Sequence, residues 1–207
     1  MGMREEVRKG YEEGDYPGEY RGDREVRGEE RELFEQMFRE MPENSPVLDL
    51  GCGNGLPFDR FLVDEGFEVT GVDIAEKHVS EARENVPEAE FLQGDFFDQD
   101  FGPGSFDAVV SFYAIFHIPR EEHGDLFEKM HHWLKDSGLI LVTVGGGEGF
   151  EEMRAERDFI GSEMVWSSPS QRESIELIEE AGFEILDTHE EKSENEHHLW
   201  VLAQKQD

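Results

Sequence analysis

The sequence predicts an α/β fold, in which a seven-stranded, mostly parallel sheet has helices on both faces and its last strand antiparallel. Three observations predict it. Short apolar runs alternate with segments of helical periodicity, which gives parallel strands joined by crossover helices. The first apolar run ends in a glycine-rich turn that leads into a helix. No helix separates the last two strands, so the final strand should run antiparallel.

Residues 1–45 form a polar, acidic cap segment ahead of the first strand. Tyr11, Tyr16 and Tyr20 lie among Gly and Glu residues there, which favours loop or short helix. From Glu25 onwards the apolar residues recur at helical spacing until a proline ends the pattern. We therefore expect one helix at the end of this segment.

The first strand and its turn span residues 47–55. The apolar residues on either side of Asp49 predict a buried strand. Three alternating glycines predict a sharp turn at which the backbone approaches a ligand closely. Pro57 suits the first turn of the helix that follows, and the free N–H groups at the start of that helix would face the ligand.

The rest of the chain continues the alternation of strands and helices. Apolar runs predict six further strands, at residues 67–73, 89–93, 106–114, 139–144, 183–188 and 198–204. After the second strand we expect a helix that ends at about Asn85. Another should run from Pro119 through Leu134 and stop at Gly138, and a third from the capping box Ser170–Glu173 to Gly182. Residues 145–169 break the pattern and predict a lid-like insert with a glycine hinge. We expect residues 1–207 to form a single domain.

The composition is strongly acidic. The formal net charge is −32, from 51 acidic and 19 basic residues. So large an excess is expected of a halophilic protein, because high salt screens the self-repulsion. The charge argues against a nucleic acid or an anionic membrane as partner, since phosphate surfaces would repel the protein.

Cysteine and histidine usage limits the chemistry further. The one cysteine, Cys52, cannot form an intramolecular disulfide, which fits a reducing, cytoplasmic setting; we expect it to be a small buried residue of the turn. No leader-like segment or membrane-spanning apolar run is present. The histidines show no H-x-x-x-H spacing, so we expect no metal site. Monomer and homodimer both remain open.

The glycine-rich turn does not match a dinucleotide fingerprint. In the pattern G-x-G-x-x-G/A, the third small residue would fall at Leu56 when counted from Gly51, or at Phe58 when counted from Gly53. Asp49 precedes the glycines, where it would repel a pyrophosphate but attract a ligand that carries an ammonium and a sulfonium. A nicotinamide-dependent oxidoreductase is therefore the weaker enzyme alternative. A generic tight strand–helix turn is the alternative without a ligand.

Two further acids follow the ends of the second and third strands. The carboxyl ends of parallel strands meet at the edge of the sheet where ligands bind. Asp73 can accept hydrogen bonds from both hydroxyls of a ribose, or it can cap the next helix. Asp95 can accept from the exocyclic amine of adenine, with Phe96 or Phe97 against the ring, or it can be a turn acid beside core aromatics.

Taken together, these motifs resemble the class I S-adenosylmethionine-dependent methyltransferases. Residues 47–55 look like motif I of that family, and the matching segments that follow in order are residues 69–74, 94–95, 106–111 and 134–139. The family has a Rossmann-like sheet of seven strands with the last antiparallel. One departure is Asp136-Ser137, where the family commonly has Pro-Gly. The Asn/Asp-Pro-Pro-Tyr motif of amino-methylating DNA enzymes is missing after strand four, which, with the charge, indicates a small-molecule acceptor.

The resemblance implies that S-adenosyl-L-methionine is the cofactor. It also implies which residues line the cofactor site: Asp49, Gly51, Gly53, Asp73, Ile74, Asp95, Phe96 and Phe112. We expect Cys52, Asn54, Gly55 and Gly94, which belong to the same turns, to take part in binding.

His117, just past the end of strand four, is the candidate general base. Histidine titrates in the right range, and a base is needed only if the acceptor is a protonated hydroxyl, thiol or amine. The alternative is that His117 caps a helix or forms a pocket wall. For the acceptor we expect Tyr20, Tyr113 and Trp166 beside His117, and the resemblance implies that the cap segment and the insert close as a lid. Trp166 can instead be satellite core.

These observations together predict a methyltransferase that uses S-adenosyl-L-methionine to methylate a small molecule. The alternative from another class is a non-catalytic S-adenosylmethionine-binding regulatory module, which would have no acceptor pocket.

Overall fold

The computed structural model describes residues 2–14, 25–193 and 196–206, apart from the side chains of residues 156–159. Tyr16 and Tyr20 of the cap segment lie outside the described residues. The helices are α1 (Met3–Glu13), α2 (Gly28–Arg39), α3 (Phe58–Asp64), α4 (Glu76–Asn85), α5 (His123–Trp133) and α6 (Gln171–Glu180). The strands are β1 (Pro46–Leu50), β2 (Glu68–Asp73), β3 (Glu90–Gln93), β4 (Phe106–Ser111), β5 (Leu134–Gly145), β6 (Phe150–Phe159), β7 (Ser162–Ser168), β8 (Phe183–Lys192) and β9 (His197–Lys205).

Seven strands form one sheet in the order β3-β2-β1-β4-β5-β9-β8. Neighbouring strands pair in parallel except for β9, which runs antiparallel to both β5 and β8. This confirms the predicted seven-stranded sheet with its last strand reversed. From β1 the chain first winds towards β3 and then returns to β4 on the other side of β1. Such a reversal opens a crevice at the carboxyl ends of the strands.

The alternation of side chains along β1 divides the interior into two cores. Leu48 and Leu50 pack on the face covered by α5 and α6. Val47 packs on the opposite face with residues of α2 and α3, such as Phe34. Asp49 lies between Leu48 and Leu50 in sequence, so it shares the face of Val47, and it is only 2% exposed. The strand therefore places a carboxyl group beneath α3.

The segment after Pro119 differs from the sequence prediction. A single 3-10 turn precedes α5, which ends at Trp133, and β5 begins at Leu134. The prediction that the helix includes Leu134 and runs to Gly138 is wrong. The backbone of β5 instead pairs with β4 from Leu134 onwards, with a shift of register before Leu139. Pairing to a neighbouring strand satisfies the backbone groups that a longer helix would have satisfied.

The predicted insert contains a two-stranded antiparallel hairpin, β6–β7, outside the main sheet. Helix α1 packs against it, since Val7 forms a buried cluster with Ile160, Met164 and Val165. The cap segment and the insert, which are distant in sequence, therefore meet beside the main sheet.

Strand β4 ends at Ser111 and not at Ala114, because the chain turns where Tyr113 adopts a left-handed φ of +58°. This turn packs on the turn after β1. Gly51 has a φ of +81°, and a Cβ added there would lie 2.3 Å from the Cβ of Ala114. Close approach of the two turns thus requires glycine at position 51.

We expect Gly51→Ala to lower the free energy of unfolding by roughly 3 kcal/mol, combining left-handed strain with overpacking. Ala114→Gly removes the atom that the new Cβ meets, so a double-mutant cycle measured by urea denaturation should give a favourable coupling of about 1 kcal/mol or more. Additive effects of the two substitutions would contradict this account of the turn.

Candidate active site

A cleft opens at the carboxyl ends of β1, β2 and β4 and is covered on one side by α1. Its lining contains most of the residues predicted to bind a cofactor: Asp49, Gly51, Cys52, Gly53, Asn54, Asp73, Ile74, Asp95, Phe96 and Phe112. Gly55 and Gly94 lie outside the lining. A Cβ on Gly55 would meet Val86, and one on Gly94 would meet Gln99, so both glycines face protein.

Asp73 joins the turn after β1 to the turn after β2. One of its carboxylate oxygens accepts a hydrogen bond from the backbone N–H of Gly53 at 2.9 Å, and the other accepts from the N–H of Ala75 at 2.9 Å. A Cβ on Gly53 would have no protein atom within 4 Å. Glycine at this position therefore leaves room in the cleft itself.

His78 of α4 is a lining residue that the sequence analysis missed. It is 2% exposed, its Nδ1 lies 3.5 Å from Oδ1 of Asp73, and its ring centroid is 5.0 Å from that of Tyr11. Burial lowers the pKa of His78 and Asp73 raises it, with a net rise. No local pattern distinguishes this histidine in sequence, because α4 only brings it to the cleft by packing on the sheet.

Asp95 is held by two partners in this structure. Its Oδ1 accepts a hydrogen bond from the N–H of Phe97 at 2.8 Å, and its Oδ2 lies 2.8 Å from Nε of Arg4. The Arg4 guanidinium also stacks over the ring of Phe97, 4.6 Å from the centroid. Helix α1 therefore supplies a cation to the acid that ends strand β3, a contact that the sequence analysis did not anticipate.

His117 has a defined tautomer. Its Nδ1 lies 3.0 Å from the carbonyl oxygen of Val165, so Nδ1 carries the proton and donates. Nε2 is then an acceptor, and the hydroxyl of Tyr11 donates to it at 2.8 Å. Burial lowers the pKa of His117 to about 4. At neutral pH the ring is uncharged, and its Nε2 lone pair faces the cleft beside α1.

The residues predicted for an acceptor are only partly brought together. Tyr113 lines the cleft with His117, and its hydroxyl donates to Glu191 at 2.7 Å. Trp166 is not part of the lining, but its ring lies 5.8 Å from that of His117 and is half-buried. Tyr20 lies outside the described residues. The left-handed backbone of Tyr113 is a strained feature of the kind that clusters at functional sites.

The model of the protein family described as "Methyltransferase domain" matches residues 47–138 of this chain. That range runs from the second residue of β1 past the end of α5 and contains most of the lining of the cleft. Over residues 47–138 the chain is therefore similar to a methyltransferase domain. S-adenosylmethionine is the methyl donor of this family.

Individual relatives agree on the methyltransferase domain but differ in the acceptors in their names. The chain is 35% identical over 107 residues to the phosphoethanolamine N-methyltransferase of Plasmodium falciparum, covering 50% of this chain and 40% of that protein. It is 40% identical over 119 residues to the 18S rRNA (guanine-N(7))-methyltransferase of Bos taurus, covering 56% of this chain and 42% of that protein. The chain spans about half the length of the curated relatives it matches.

A solved methyltransferase structure from Methanosarcina mazei shows the same fold. The TM-score is 0.71 at 19% identity, and the match covers 82% of this chain and 96% of that one.

Within residues 2–14, 25–193 and 196–206, no three metal-binding side chains converge, and no helix has the length and apolarity needed to cross a bilayer.

The residues of the cleft fit the methyl donor. Oδ1 of Asp49 is buried and receives no hydrogen bond from the described residues, so a carboxyl oxygen is available for a cationic group. Gly53 leaves open space, and the turns joined by Asp73 form a cradle. A positively charged amino acid attached to a nucleoside suits this combination of acids and open backbone.

The buried histidines predict a loss of stability in acid. Burial lowers the pKa of His123, which is fully buried, to about 4. The folded pKa lies below the unfolded value of about 6.5, so this stabilisation is complete above pH 6.5 and is lost as the pH falls towards 4. We expect His123→Gln to reduce the fall in unfolding free energy between pH 7.5 and 4 by up to roughly 3 kcal/mol.

Urea denaturation at several pH values measures this slope. His132→Gln is the matched control, because His132 lies on the same helix and is exposed. If the unfolding free energy falls equally with pH in the wild type and in His123→Gln, then the folded protein does not hold His123 in its neutral form.

Proposed function

We propose that this protein is an S-adenosylmethionine-dependent methyltransferase that acts on a small molecule. One observation carries the proposal: a single cleft contains a buried carboxyl oxygen without a donor at Asp49 and a neutral, oriented imidazole at His117. The first suits a cationic methyl donor and the second suits an acceptor that must lose a proton. A regulatory binding module would need only the first.

The cofactor positions follow from the acids that end the strands. Asp49 would attract the ammonium group of the donor, and Asp73 would accept from the ribose hydroxyls with the lone pairs that Gly53 and Ala75 leave free. Asp95 would accept from the adenine amine, with Phe96 against the ring. Because Arg4 already pairs with Asp95, the adenine would share this carboxylate with helix α1.

When bound, the cofactor supplies an electrophilic methyl group on sulfur. His117 then receives the proton of an acceptor O–H or N–H at Nε2, the position that the Tyr11 hydroxyl occupies here. The backbone carbonyl of Val165 holds the ring in the tautomer that can accept. A weak base suffices, because the acceptor proton becomes strongly acidic as methylation proceeds. Positioning and exclusion of water provide the remaining acceleration.

The lining supports a small acceptor with an apolar part. Val7, Phe58 and Ile118 contribute apolar walls to the cleft that also contains His117. An RNA acceptor is the second candidate, because the bovine relative is named for rRNA methylation. The net charge of −32 opposes it, since an RNA backbone would be repelled.

Helix α1 and the β6–β7 hairpin support the proposal of a lid. Tyr11 binds His117, Arg4 binds Asp95, and Val7 packs on the hairpin, so α1 lies across both halves of the cleft. Movement of α1 would open the cleft for cofactor and acceptor, and closure would then exclude water.

We expect substitutions of Asp73 and His117 to separate binding from turnover. Asp73→Asn should weaken S-adenosylhomocysteine binding by about 10–100-fold, because a carboxylate that accepts from a ribose is lost. His117→Gln should leave that affinity within about threefold and lower turnover by roughly 100-fold, as expected for a general base. Calorimetry measures the first effect, and S-adenosylhomocysteine release with a panel of small acceptors and RNA measures the second.

Asp107→Asn is the control, because Asp107 lies on β4 away from the cleft and pairs with Lys135. Unchanged affinity in Asp73→Asn would exclude the ribose role. Turnover on RNA alone would replace the small-molecule acceptor with the second candidate.

We expect Arg4→Gln to loosen the lid. Loss of the contacts to Asp95 and Glu122 should speed tryptic cleavage after Arg8 or Lys9 of α1 several-fold, and S-adenosylhomocysteine should slow it in both proteins. Mass spectrometry identifies the cleavage sites, with Arg31→Gln on α2 as the control. Equal cleavage rates with and without the ligand would argue that α1 does not open.

A further inference from the structure

Helix α3 carries a buried acid that the proposed reaction does not use. Asp59, in the first turn of α3, is 1% exposed. Neither of its carboxyl oxygens receives a hydrogen bond from a donor in the described part of the chain. The same is true of Oδ1 of Asp49. A buried carboxylate without a donor is costly, so this arrangement needs a physical explanation.

The fold brings the two acids together. Asp49 points to the face of the sheet that α3 covers, and α3 begins directly after the glycine turn. The carboxyl groups of Asp49 and Asp59 lie within hydrogen-bonding reach of each other. Two carboxylates offer only acceptors, so a hydrogen bond between them requires a proton on one of them. We therefore expect the pair in the free protein to share one proton.

The groups around the pair are acidic, and the described residues pair no Lys or Arg with it. The titratable groups nearest to the pair are Cys52 in the glycine turn and Asp73 at the end of β2. Asp73 has His78 of α4 beside it, and no ion pair in the described residues involves Asp49 or Asp59. Burial raises the pKa of both paired carboxyls and of the Cys52 thiol. Only Asp49 of the pair reaches the cleft.

We infer that Asp59 is a positioning residue for the cofactor's amino group: it keeps a proton on the Asp49–Asp59 pair in the free protein, and the pair releases that proton when an ammonium group binds at Asp49. This inference rests on the proposed function, because it places the amino acid part of S-adenosylmethionine at Asp49.

The charge balance supports the exchange. Before binding, the pair with one shared proton carries a charge of −1. After binding, two ionised carboxylates and one ammonium again sum to −1, and one proton has gone to solvent. The buried site thus never holds two uncompensated negative charges. A cation is accepted in place of the proton, whereas a neutral ligand gains nothing from the exchange.

The exchange predicts a pH dependence of affinity. Where the free pair holds its proton, each pH unit gained should raise the affinity of an ammonium ligand by about tenfold, because one proton is released. Above the second ionisation of the pair the affinity should be constant. His78 also faces this region through Asp73, so the test must separate its protons from those of the pair.

The experiment is calorimetric titration of the whole protein with S-adenosylhomocysteine at pH 6, in two buffers of different ionisation enthalpy. The difference in heat gives the number of protons released, which should be about one per ligand. 5′-Methylthioadenosine has the same nucleoside and sulfur without the amino acid, so it should release none. This comparison uses only the wild-type protein.

The variant Asp59→Asn tests whether the released proton comes from the Asp49–Asp59 pair. Its amide can donate to Asp49, which then stays ionised, so S-adenosylhomocysteine should bind without proton release and with little change in affinity between pH 6 and 8. Asp64→Asn, on the exposed end of the same helix, should behave as the wild type.

The possible results separate the two ideas. Binding by the wild type without proton release, equal release by the methylthio compound, or unchanged release in Asp59→Asn would each overturn the inference and leave the methyltransferase proposal standing. Failure of the wild type to bind S-adenosylhomocysteine at any pH would overturn both.

Discussion

The candidate site depends on the hydrogen bonds of one carboxylate. Asp73 accepts from Gly53 and from Ala75, and so fixes the turn after β1 against the turn after β2. The backbone N–H groups of Gly51 and Cys52 donate to the carbonyl oxygen of Val72, which ties the start of the glycine turn to β2. With Asp73 between them, the backbone of the glycine turn has a defined position relative to α4, and the cleft has a floor.

Helix α1 is held beside the cleft by one small apolar cluster, in which Val7 packs with Ile160 and Met164 of the hairpin. Val7 and Gly10 are its buried residues, and the rest of its attachment to the cleft is polar. Tyr11 reaches His117, and Arg4 reaches Asp95. A short helix held by such contacts can be released at moderate cost, which is a property that a lid over an active site needs.

The acids around the glycine turn give the site its chemical character. Asp49, Asp59 and Asp73 face one small region from β1, α3 and β2, and among the described residues His78, 3.5 Å from Asp73, is the base beside them. The turn differs in this respect from a phosphate cradle, whose backbone N–H groups serve an anion. The match to a methyltransferase domain over residues 47–138 and the local electrostatics are independent observations, and both favour a cationic donor.

Much of this protein was determined by the sequence itself. The alternation of apolar runs and helical segments predicted the sheet, and the glycine turn with Asp73 and Asp95 predicted which edge of it holds the candidate site, because both signals are local.

Tertiary structure alone decided the partners of those residues. The hydrogen bond between Tyr11 and His117 joins residues that are 106 positions apart in sequence. Asp49 and Asp59 come together because α3 packs on the face of the sheet that Asp49 shares. The start of β5 at Leu134 also depended on pairing with β4, and β9 lies between β5 and β8. Such contacts arise from how crossovers stack the elements, and no short-range pattern of residues records that stacking.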